Sequence, residues 1–115
     1  EASFVKYAIN SYLGMKVTFF NQLHDAALDF SCSPQRIINS VSADNRIGFA
    51  HTRVPGFDGK KGFGGACLPK DMNAFVKFNQ DLTLIAESVK INNKMREEYE
   101  LDEREKNNNI KFEDK

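Results

Sequence analysis

The sequence predicts an all-α fold, and three observations carry that prediction. Apolar residues recur at helical spacing over long stretches, strand-like alternation is absent from the sequence, and most glycines and prolines are confined to one segment. The 115 residues make one domain at most. A hydrophobic content of 41% supplies a modest core, and a charged content of 28% suits a surface in contact with water.

The first predicted element is one long helix over residues 3–30, a stretch with no proline and one glycine. Its apolar residues have the spacing of a helical face: Val5, Ile9, Tyr12, Leu13, Val17, Phe20, Leu23, Ala27 and Phe30. Such a helix runs roughly 42 Å, whereas a compact domain of this size has a diameter of about 35 Å. We therefore expect the helix to overhang its domain and to be covered by a second copy or by another domain of the same chain. The alternative is a kink at Gly14 that folds the helix back.

Three shorter helices are predicted after the first. Ser33 is a suitable N-cap and Pro34 suits the first helical position, so a short helix begins there and ends near Ala43. Asp71 is the predicted cap of the next helix, and Thr83 is the predicted cap of the last one.

The remaining segments are a long loop and a charged tail. Residues 44–70 hold six of the seven glycines and two of the three prolines, which predicts a loop, and loops of this length are often functional. From residue 96 onward the chain is mostly charged or polar, so we expect few buried residues and a fraying end. The predicted division is a helical domain over residues 1–95 and a tail over residues 96–115.

Charge and composition argue against several classes of function. The 16 basic residues are balanced by 16 acidic ones, so the chain lacks the cationic surplus that nucleic-acid binding needs. No apolar run reaches the roughly 20 residues that span a bilayer, so no membrane partner is expected. The histidines lack metal-ligand spacing with each other or with the cysteines, so no metal is expected.

The cysteines and the first residues bear on the location of the protein. Two cysteines are too few for a disulfide scaffold, which favours a reducing compartment and a cytoplasmic location. The chain begins with Glu-Ala-Ser, without a secretory pattern and without an initiator methionine. We therefore expect it to be a piece of a longer chain.

The densest candidate for chemistry is the run from Gly62 to Asp71. Its three closely spaced glycines let backbone N–H groups approach a ligand. Cys67 lies just before the predicted helix, where exposed N–H groups and the helix dipole favour an anionic sulfur, and Lys61 and Lys70 add positive charge. Asp71 follows Cys67 by four residues and could orient water beside it. The alternative is a tight turn with a buried cysteine and a capping aspartate.

Two further polar groups are candidates for ligand binding. Lys6, Asn10 and Gly14 are spaced by four residues and share a helical face, where a lysine can stabilise an oxyanion and an asparagine can hydrogen-bond it. Their alternative is the solvated stripe of an amphipathic helix. Arg46, at the exit of the short helix, could clamp a phosphate or a sugar hydroxyl. It could equally be a cation near the carbonyls that end that helix.

Together these motifs resemble the central domain of the UDP-glucose/GDP-mannose dehydrogenase family. The resemblance covers residues 3–92. It rests on five stretches, Lys6-Tyr7-Ala8-Ile9-Asn10 with Tyr12-Leu13, Lys16-Val17-Thr18-Phe19-Phe20-Asn21, Asp44 with Arg46-Ile47-Gly48, Val54-Pro55-Gly56 with Asp58-Gly59, and the run from Gly62 to Asp71. It implies a helical domain similar to the C-terminal domain of 6-phosphogluconate dehydrogenase.

The resemblance also implies an activity. The family oxidises the C6 hydroxymethyl group of a nucleotide sugar to a carboxylate with two molecules of NAD, through an aldehyde. Cys67 matches the nucleophile that captures this aldehyde as a thiohemiacetal and later forms a thioester, and Asp71 matches the residue that helps to activate water. Lys6 and Asn10 match the pair that stabilises the charged oxygen and binds substrate. Phe63 and Gly64 match residues that contact the sugar, and Arg46 matches the arginine that reaches the sugar nucleotide bound to the neighbouring subunit. Lys70 matches a residue at the NAD site.

The resemblance further implies partners that this chain lacks. The family has an NAD-binding domain and a C-terminal domain beside the central one, and it dimerises through the long helix. The sequence itself contains neither a G-x-G-x-x-G turn nor a P-loop, so it has no visible means of holding a dinucleotide alone. Three hypotheses remain: the catalytic and dimerising domain of a nucleotide-sugar dehydrogenase, a non-catalytic dimerisation or interaction module derived from it, and an unrelated anion-binding domain that uses Lys60, Lys61 and Gly62.

Overall fold

The fold is all-α, as predicted, in a computed structural model that describes residues 1–113. Residues 1–113 form five helices and contain no β-strand. Their bounds are α1 Ala2–Asp29, α2 Pro34–Ser42, α3 Cys67–Phe78, α4 Thr83–Arg96 and α5 Glu103–Asn107. Helix α1 packs against α2, α3 and α4, so it forms the axis around which the domain is built.

Helix α1 is uninterrupted over its 28 residues, so the alternative of a fold-back at Gly14 is wrong. At 1.5 Å per residue its length is about 42 Å, close to the longest dimension of the molecule, 39 Å. Gly14 lies at a close contact of α1 with α3, because a Cβ atom there would run into the Met72 sulfur. The glycine therefore serves helix packing rather than bending.

The predicted helix starts are partly confirmed. The Ser33 hydroxyl accepts a hydrogen bond from the backbone N–H of Arg36, with Pro34 in the first helical position, as expected. The expectation that Asp71 caps α3 is wrong, since α3 begins at Cys67 and Asp71 is its fifth residue. A proline in the first turn, Pro69, leaves no intrahelical hydrogen bond missing, so the helix can begin before it.

The second correction concerns the start of α4. Thr83 is the first residue of this helix rather than its cap, and the flanking Leu82 makes no side-chain cap hydrogen bond. The predicted loop is confirmed as irregular backbone between α2 and α3, shortened at its end by the early start of α3.

Two apolar clusters hold this loop against the helices. One cluster is formed by Phe63, Met72, Phe75 and Ile85, and the other by Phe20, Ile38 and Val54. Each cluster thus contains one loop residue, Phe63 or Val54, inserted among helical side chains. Burying such a side chain contributes about 1.5–3 kcal/mol, which keeps a long irregular segment in a defined position.

The segment after residue 95 differs from the expected tail with few residues to bury. Arg96 still belongs to α4 and is 2% exposed, Glu105 is fully buried, and Ile110 is 7% exposed. Residues 62–66, which lead into α3, are called the glycine loop. The two charged side chains are buried because they bond to the backbone of this loop and to each other. Residues 114–115 of the predicted tail lie outside the described residues. The division at residue 95 stays a prediction.

Within residues 1–113, no helix is both long enough and apolar enough to cross a membrane.

A row of apolar side chains on α1 is left uncovered by the chain itself. The row consists of Val5, Ile9, Tyr12 and Phe19, which share one side of α1 and are each more than half exposed.

Candidate active site

A buried carboxylate, that of Asp71, lies at the centre of the candidate active site. Its side chain is 1% exposed and lies at the contact between α3 and α1. The Asn10 amide donates a hydrogen bond to Oδ2 over 2.7 Å, and the Lys6 ammonium lies 3.7 Å from the same oxygen. Lys70 approaches the other oxygen, Oδ1, at 3.6 Å. The structure therefore brings together four of the residues that the sequence singles out.

The local helix geometry explains this meeting. Lys6 and Asn10 are one turn apart on α1, so their side chains lie on the same face, and that face is turned toward α3. The Asn10 amide is partly buried at this contact and needs a partner, because an unpaired buried donor costs about 1–3 kcal/mol, whereas Lys6 is more than half exposed. Asp71 is that partner, so the alternative interpretation of the solvated stripe of an amphipathic helix does not hold for Asn10.

One oxygen of the Asp71 carboxylate is left open. Oδ1 accepts no hydrogen bond from residues 1–113, and its only close cation is the half-exposed Lys70. This oxygen is fully buried and keeps its acceptor capacity, so a water molecule or a hydroxyl group that reaches it through a small movement of its surroundings would find an unpaired acceptor.

Cys67 lies one helical turn before Asp71, at the very start of α3. The residue is exposed and forms no disulfide. Spacing of four residues places Cys67 and Asp71 on the same side of the helix. The first N–H groups of a helix have no intrahelical acceptor, so the thiol lies beside free donors. The sulfur is therefore not sealed in apolar packing, the arrangement that would have argued against a nucleophile.

The glycine loop that leads to Cys67 is fixed by two asparagines that the sequence analysis did not identify. The side-chain oxygen Oδ1 of Asn21 accepts a hydrogen bond from the Gly62 N–H at 3.1 Å. Asn92 accepts from the Phe63 N–H at 2.7 Å and donates to the Phe63 carbonyl at 2.9 Å. The available signal was an asparagine in the apolar stripe of α4, a position where a polar side chain must find a buried partner.

The two predicted loop contacts to substrate occupy different environments. Phe63 is 5% exposed, and its backbone donor is already used by Asn92. Gly64 is half-buried, and a Cβ atom there would collide with the side chains of Arg96 and Glu105. Arg96 and Glu105 are thus part of the surroundings of the loop, and the sequence signal for Glu105 was its place three residues after a capping aspartate.

Arg46 is not brought into the group around Asp71. Its guanidinium is largely exposed and pairs with Asp44, with Nη2 2.7 Å from Oδ2 and Nε 3.0 Å from Oδ1. The hydrogen bonds from Arg46 lower the pKa of the Asp44 carboxyl, and the same pair raises the pKa of Arg46. The loop end beside it is tied to α1, because the Lys16 ammonium donates to the Ile47 carbonyl at 2.7 Å.

Residues 1–113 form neither a metal site nor a dinucleotide site of their own. No group of three or more His, Cys, Asp or Glu side chains within residues 1–113 can hold a metal ion. These residues also contain no strand, and hence no strand–turn–helix unit of the kind that binds a dinucleotide. The described residues therefore do not fit NAD as a self-contained site.

Comparison with known proteins identifies the family. The family model described as the UDP-glucose/GDP-mannose dehydrogenase family, central domain, matches residues 1–96. A UDP-glucose 6-dehydrogenase of Rhizobium meliloti is 35% identical over 94 residues, covering 76% of this chain and 20% of the relative. That of Campylobacter jejuni is 44% identical over 71 residues, covering 62% and 17%. That of Rickettsia bellii is 31% identical over 104 residues, covering 88% and 23%.

The chain spans about a fifth of the length of these curated relatives. No solved structure matches it at a significant level. Because the family model covers far more than half of the residues, including the whole group around Asp71, the chain belongs to the UDP-glucose/GDP-mannose dehydrogenase family, whose central domain it represents.

Proposed function

We propose that this domain supplies the nucleophile and the charge-stabilising groups of an NAD-dependent nucleotide-sugar 6-dehydrogenase of the UDP-glucose type. The observation that carries the proposal is the contact of Lys6 and Asn10 with the buried Asp71, one helical turn from the exposed Cys67. A thiol, an ammonium, an amide and a carboxylate at one place are the groups that the oxidation of an aldehyde to an acid requires.

The first step at these residues is addition. The Cys67 thiolate attacks the C6 aldehyde carbon, a carbon–sulfur bond forms, and the carbonyl electron pair moves to oxygen. The Lys6 ammonium and the Asn10 amide stabilise this oxyanion, and such groups are most effective where water is excluded. Asp71 orients both donors, since it already contacts them without a ligand.

The last step is hydrolysis of the thioester at Cys67. Water attacks the acyl carbon, the carbon–sulfur bond breaks, and the thiolate leaves. The open Oδ1 of Asp71 is the acceptor that orients this water and takes its proton. When bound, NAD would accept one hydride from the C6 hydroxymethyl group before the addition, which gives the aldehyde, and a second molecule of NAD would accept the hydride that leaves C6 before the hydrolysis. We assign NAD to a separate domain, with Lys70 at the edge of its site.

The remaining substrate contacts belong to the same proposal. The backbone at Phe63 and Gly64 faces the sugar, with Gly64 offering the donor that Asn92 does not already occupy. Arg46 reaches a nucleotide sugar held by a neighbouring subunit, which agrees with its exposed position away from Asp71. Both cysteines of the described residues are free thiols, which supports a reducing compartment, and we place the enzyme in the cytoplasm.

The proposed partner is a second copy of the chain, bound along α1. The exposed row on α1 runs from Val5 to Phe19, and single exposed apolar residues are common but a continuous row is not. The same row favours the second candidate function, a dimerisation or interaction module without catalysis. The two candidates differ in one respect, the reactivity of Cys67.

A chimaera tests the proposed function. Residues 1–113, which include the segment that contacts the loop before Cys67, replace the matching segment of the Rhizobium meliloti UDP-glucose 6-dehydrogenase, and formation of UDP-glucuronate and NADH is measured. Cys67→Ser is expected to stop formation of the acid, whereas Cys32→Ser, at the other exposed cysteine, leaves it intact. Turnover of the Cys67→Ser chimaera at the rate of its parent would contradict the assignment. A folded, dimeric parent chimaera without turnover would favour the interaction module.

A further inference from the structure

The segment that follows the matched family domain, residues 97–113, wraps around the glycine loop. We propose that Glu105 is a positioning residue, whose buried carboxylate holds the backbone of Gly65 and thereby fixes the orientation in which Cys67 begins α3. The proposal rests on the proposed role of Cys67 as the nucleophile, and the experiment below separates the two. No ligand is needed for this role, because each contact lies within the chain.

The Glu105 carboxylate uses both of its oxygens on backbone N–H groups. Oε2 accepts from Gly65 at 2.9 Å, and Oε1 accepts from Asp102 at 2.9 Å. Glu105 is fully buried, so these bonds are shielded from competition with water. Gly65 lies two residues before Cys67, and its N–H orientation therefore sets the direction in which the chain enters the helix.

Arg96 completes the contact from the other side. Its Nη2 donates to the Gly62 carbonyl at 3.0 Å, while Nη1 lies 2.9 Å from Asp58 and 3.7 Å from Glu105. A buried carboxylate without a cation is unfavourable, and an arginine between two carboxylates offsets part of that penalty. The loop is thus held at both ends, at Gly62 by a cation and at Gly65 by an anion.

The glycines of the loop suit this packing. Gly65 has φ +76°, a left-handed conformation that side-chain-bearing residues rarely adopt. At Gly64 any Cβ atom would occupy the space of the Arg96 guanidinium and the Glu105 carboxylate. The closely spaced glycines therefore admit two buried charged side chains, in addition to any ligand that approaches the loop from the side of Cys67.

Further contacts show that the segment is anchored along its length. The Lys60 ammonium donates to the Glu100 carbonyl at 2.8 Å, and the Tyr99 hydroxyl accepts from the Lys61 N–H at 3.3 Å. At the far end Ile110 is buried, and its N–H donates to the Glu105 carbonyl at 2.9 Å. Glu105 lies in the middle of these anchors, so its carboxylate has a defined place.

Two measurements on the full chain test the proposal. The first is the exchange rate of the Gly65 amide hydrogen, followed by NMR on nitrogen-15-labelled protein. The second is the rate of alkylation of Cys67 by iodoacetamide divided by that of Cys32, followed by mass spectrometry. Cys32 lies in the turn between α1 and α2, far along the chain from the loop, and so reports any general loosening.

The test variant is Glu105→Ala and its matched control is Glu103→Ala, an exposed glutamate in the same helix. We expect Gly65 exchange about 10-fold faster in Glu105→Ala, since its hydrogen-bond acceptor is lost. We expect the Cys67 to Cys32 ratio to fall at least about 3-fold, because the backbone that positions the Cys67 sulfur at the start of α3 is no longer held at Gly65. The control is expected to change neither value.

Several outcomes would overturn the proposal. They are unchanged Gly65 exchange in folded Glu105→Ala, an equal change in Glu103→Ala, or faster exchange with an unchanged cysteine ratio. If circular dichroism shows that Glu105→Ala does not fold, Asp102→Ala replaces it, because that variant removes the cap of α5 and an exposed ion pair with Arg104 but keeps the Glu105 carboxylate. It is expected to give both changes at smaller size, and their absence is equally decisive. In the unsubstituted chain, a Cys67 to Cys32 alkylation ratio of one or below would count against the proposed function itself. Gly65 exchange would still report whether Glu105 holds the Gly65 backbone.

Discussion

Asn10 and Asp71 join the two helices that carry the candidate active site, through a hydrogen bond of 2.7 Å between side chains 61 positions apart in sequence. The carboxylate is buried, so this bond contributes to the stability of the α1–α3 contact as well as to the proposed chemistry. Stability and function therefore depend on the same pair of atoms, and their effects need separate measurements.

Substitution of Asn10 tests the structural part of this relationship. Asn10→Ala removes the donor to a buried carboxylate, and we expect a loss of about 1–3 kcal/mol in the free energy of unfolding. The measurement is urea unfolding followed by circular dichroism. The matched control is Asn39→Ala, an exposed asparagine on α2 whose partner, Gln35, is also exposed. Equal losses in the two variants would mean that the Asn10–Asp71 bond has no special weight.

Asn92 tests how the glycine loop is held. Asn92→Leu keeps a similar volume but leaves both the N–H and the carbonyl of Phe63 without their partner. Since each unpaired buried backbone group costs about 1–3 kcal/mol, we expect a loss of roughly 2–5 kcal/mol on urea unfolding. Asn39→Leu is the control for the change of residue type. A stability of Asn92→Leu within error of this control would contradict the observed loop contact.

The row on α1 predicts the oligomeric state. We expect the chain to sediment as a dimer and Tyr12→Glu to weaken that dimer at least about 10-fold, because a buried charge without a partner is unfavourable. Phe57→Glu is the control, since this loop phenylalanine is 90% exposed and is not part of the row. A monomeric unsubstituted chain, or an equal effect of the two substitutions, would refute dimerisation through α1.

The cap of α5 predicts a dependence on pH. The hydrogen bond from the Glu105 backbone N–H lowers the pKa of Asp102 below its ordinary value of 3.8, against an opposing effect of desolvation. A carboxyl with a lowered pKa in the folded state contributes stability that is complete above its unfolded value and is lost as the pH falls through the folded value. We therefore expect α5 to loosen only below pH 3.8.

The Glu105 amide chemical shift, titrated by NMR, measures this transition directly. In Asp102→Asn the amide side chain still caps the helix but does not titrate in acid, so the shift change is expected to disappear. A midpoint at or above 3.8 in the unsubstituted chain would show that the cap does not favour the ionised carboxyl.

Much of the helical architecture could be predicted from local patterns. The apolar spacing of residues 3–30 anticipated α1, and the Ser33-Pro34 pair anticipated the start of α2, because both depend on residues that are neighbours along the helix. The start of α3 was misplaced for a physical reason. An aspartate before an apolar run has the same local signature whether it caps a helix or bonds to another helix, and here it bonds to Asn10.

The candidate site was only partly predictable for the same reason. The motifs identified Lys6, Asn10 and Asp71, whereas the residues that support the loop were missed. Arg96 and Glu105 fell within the charged tail that was expected to bury few residues, since sequence alone does not show which charged side chains have partners far along the chain. Their burial follows from the backbone groups of Gly62 and Gly65, which become available only once the loop is folded.

The sequence by itself determined that the chain is helical, that the run around Cys67 is chemically dense, and that its motifs resemble one dehydrogenase family. Helical periodicity and short motifs are local, so they can be read along the chain. The tertiary structure decided which polar groups meet, from the pairing of Asn10 with Asp71 to the enclosure of Gly65 by Glu105. Such pairs are distant in sequence and are selected by the need of every buried donor and acceptor for a partner, a condition that exists only in the folded chain.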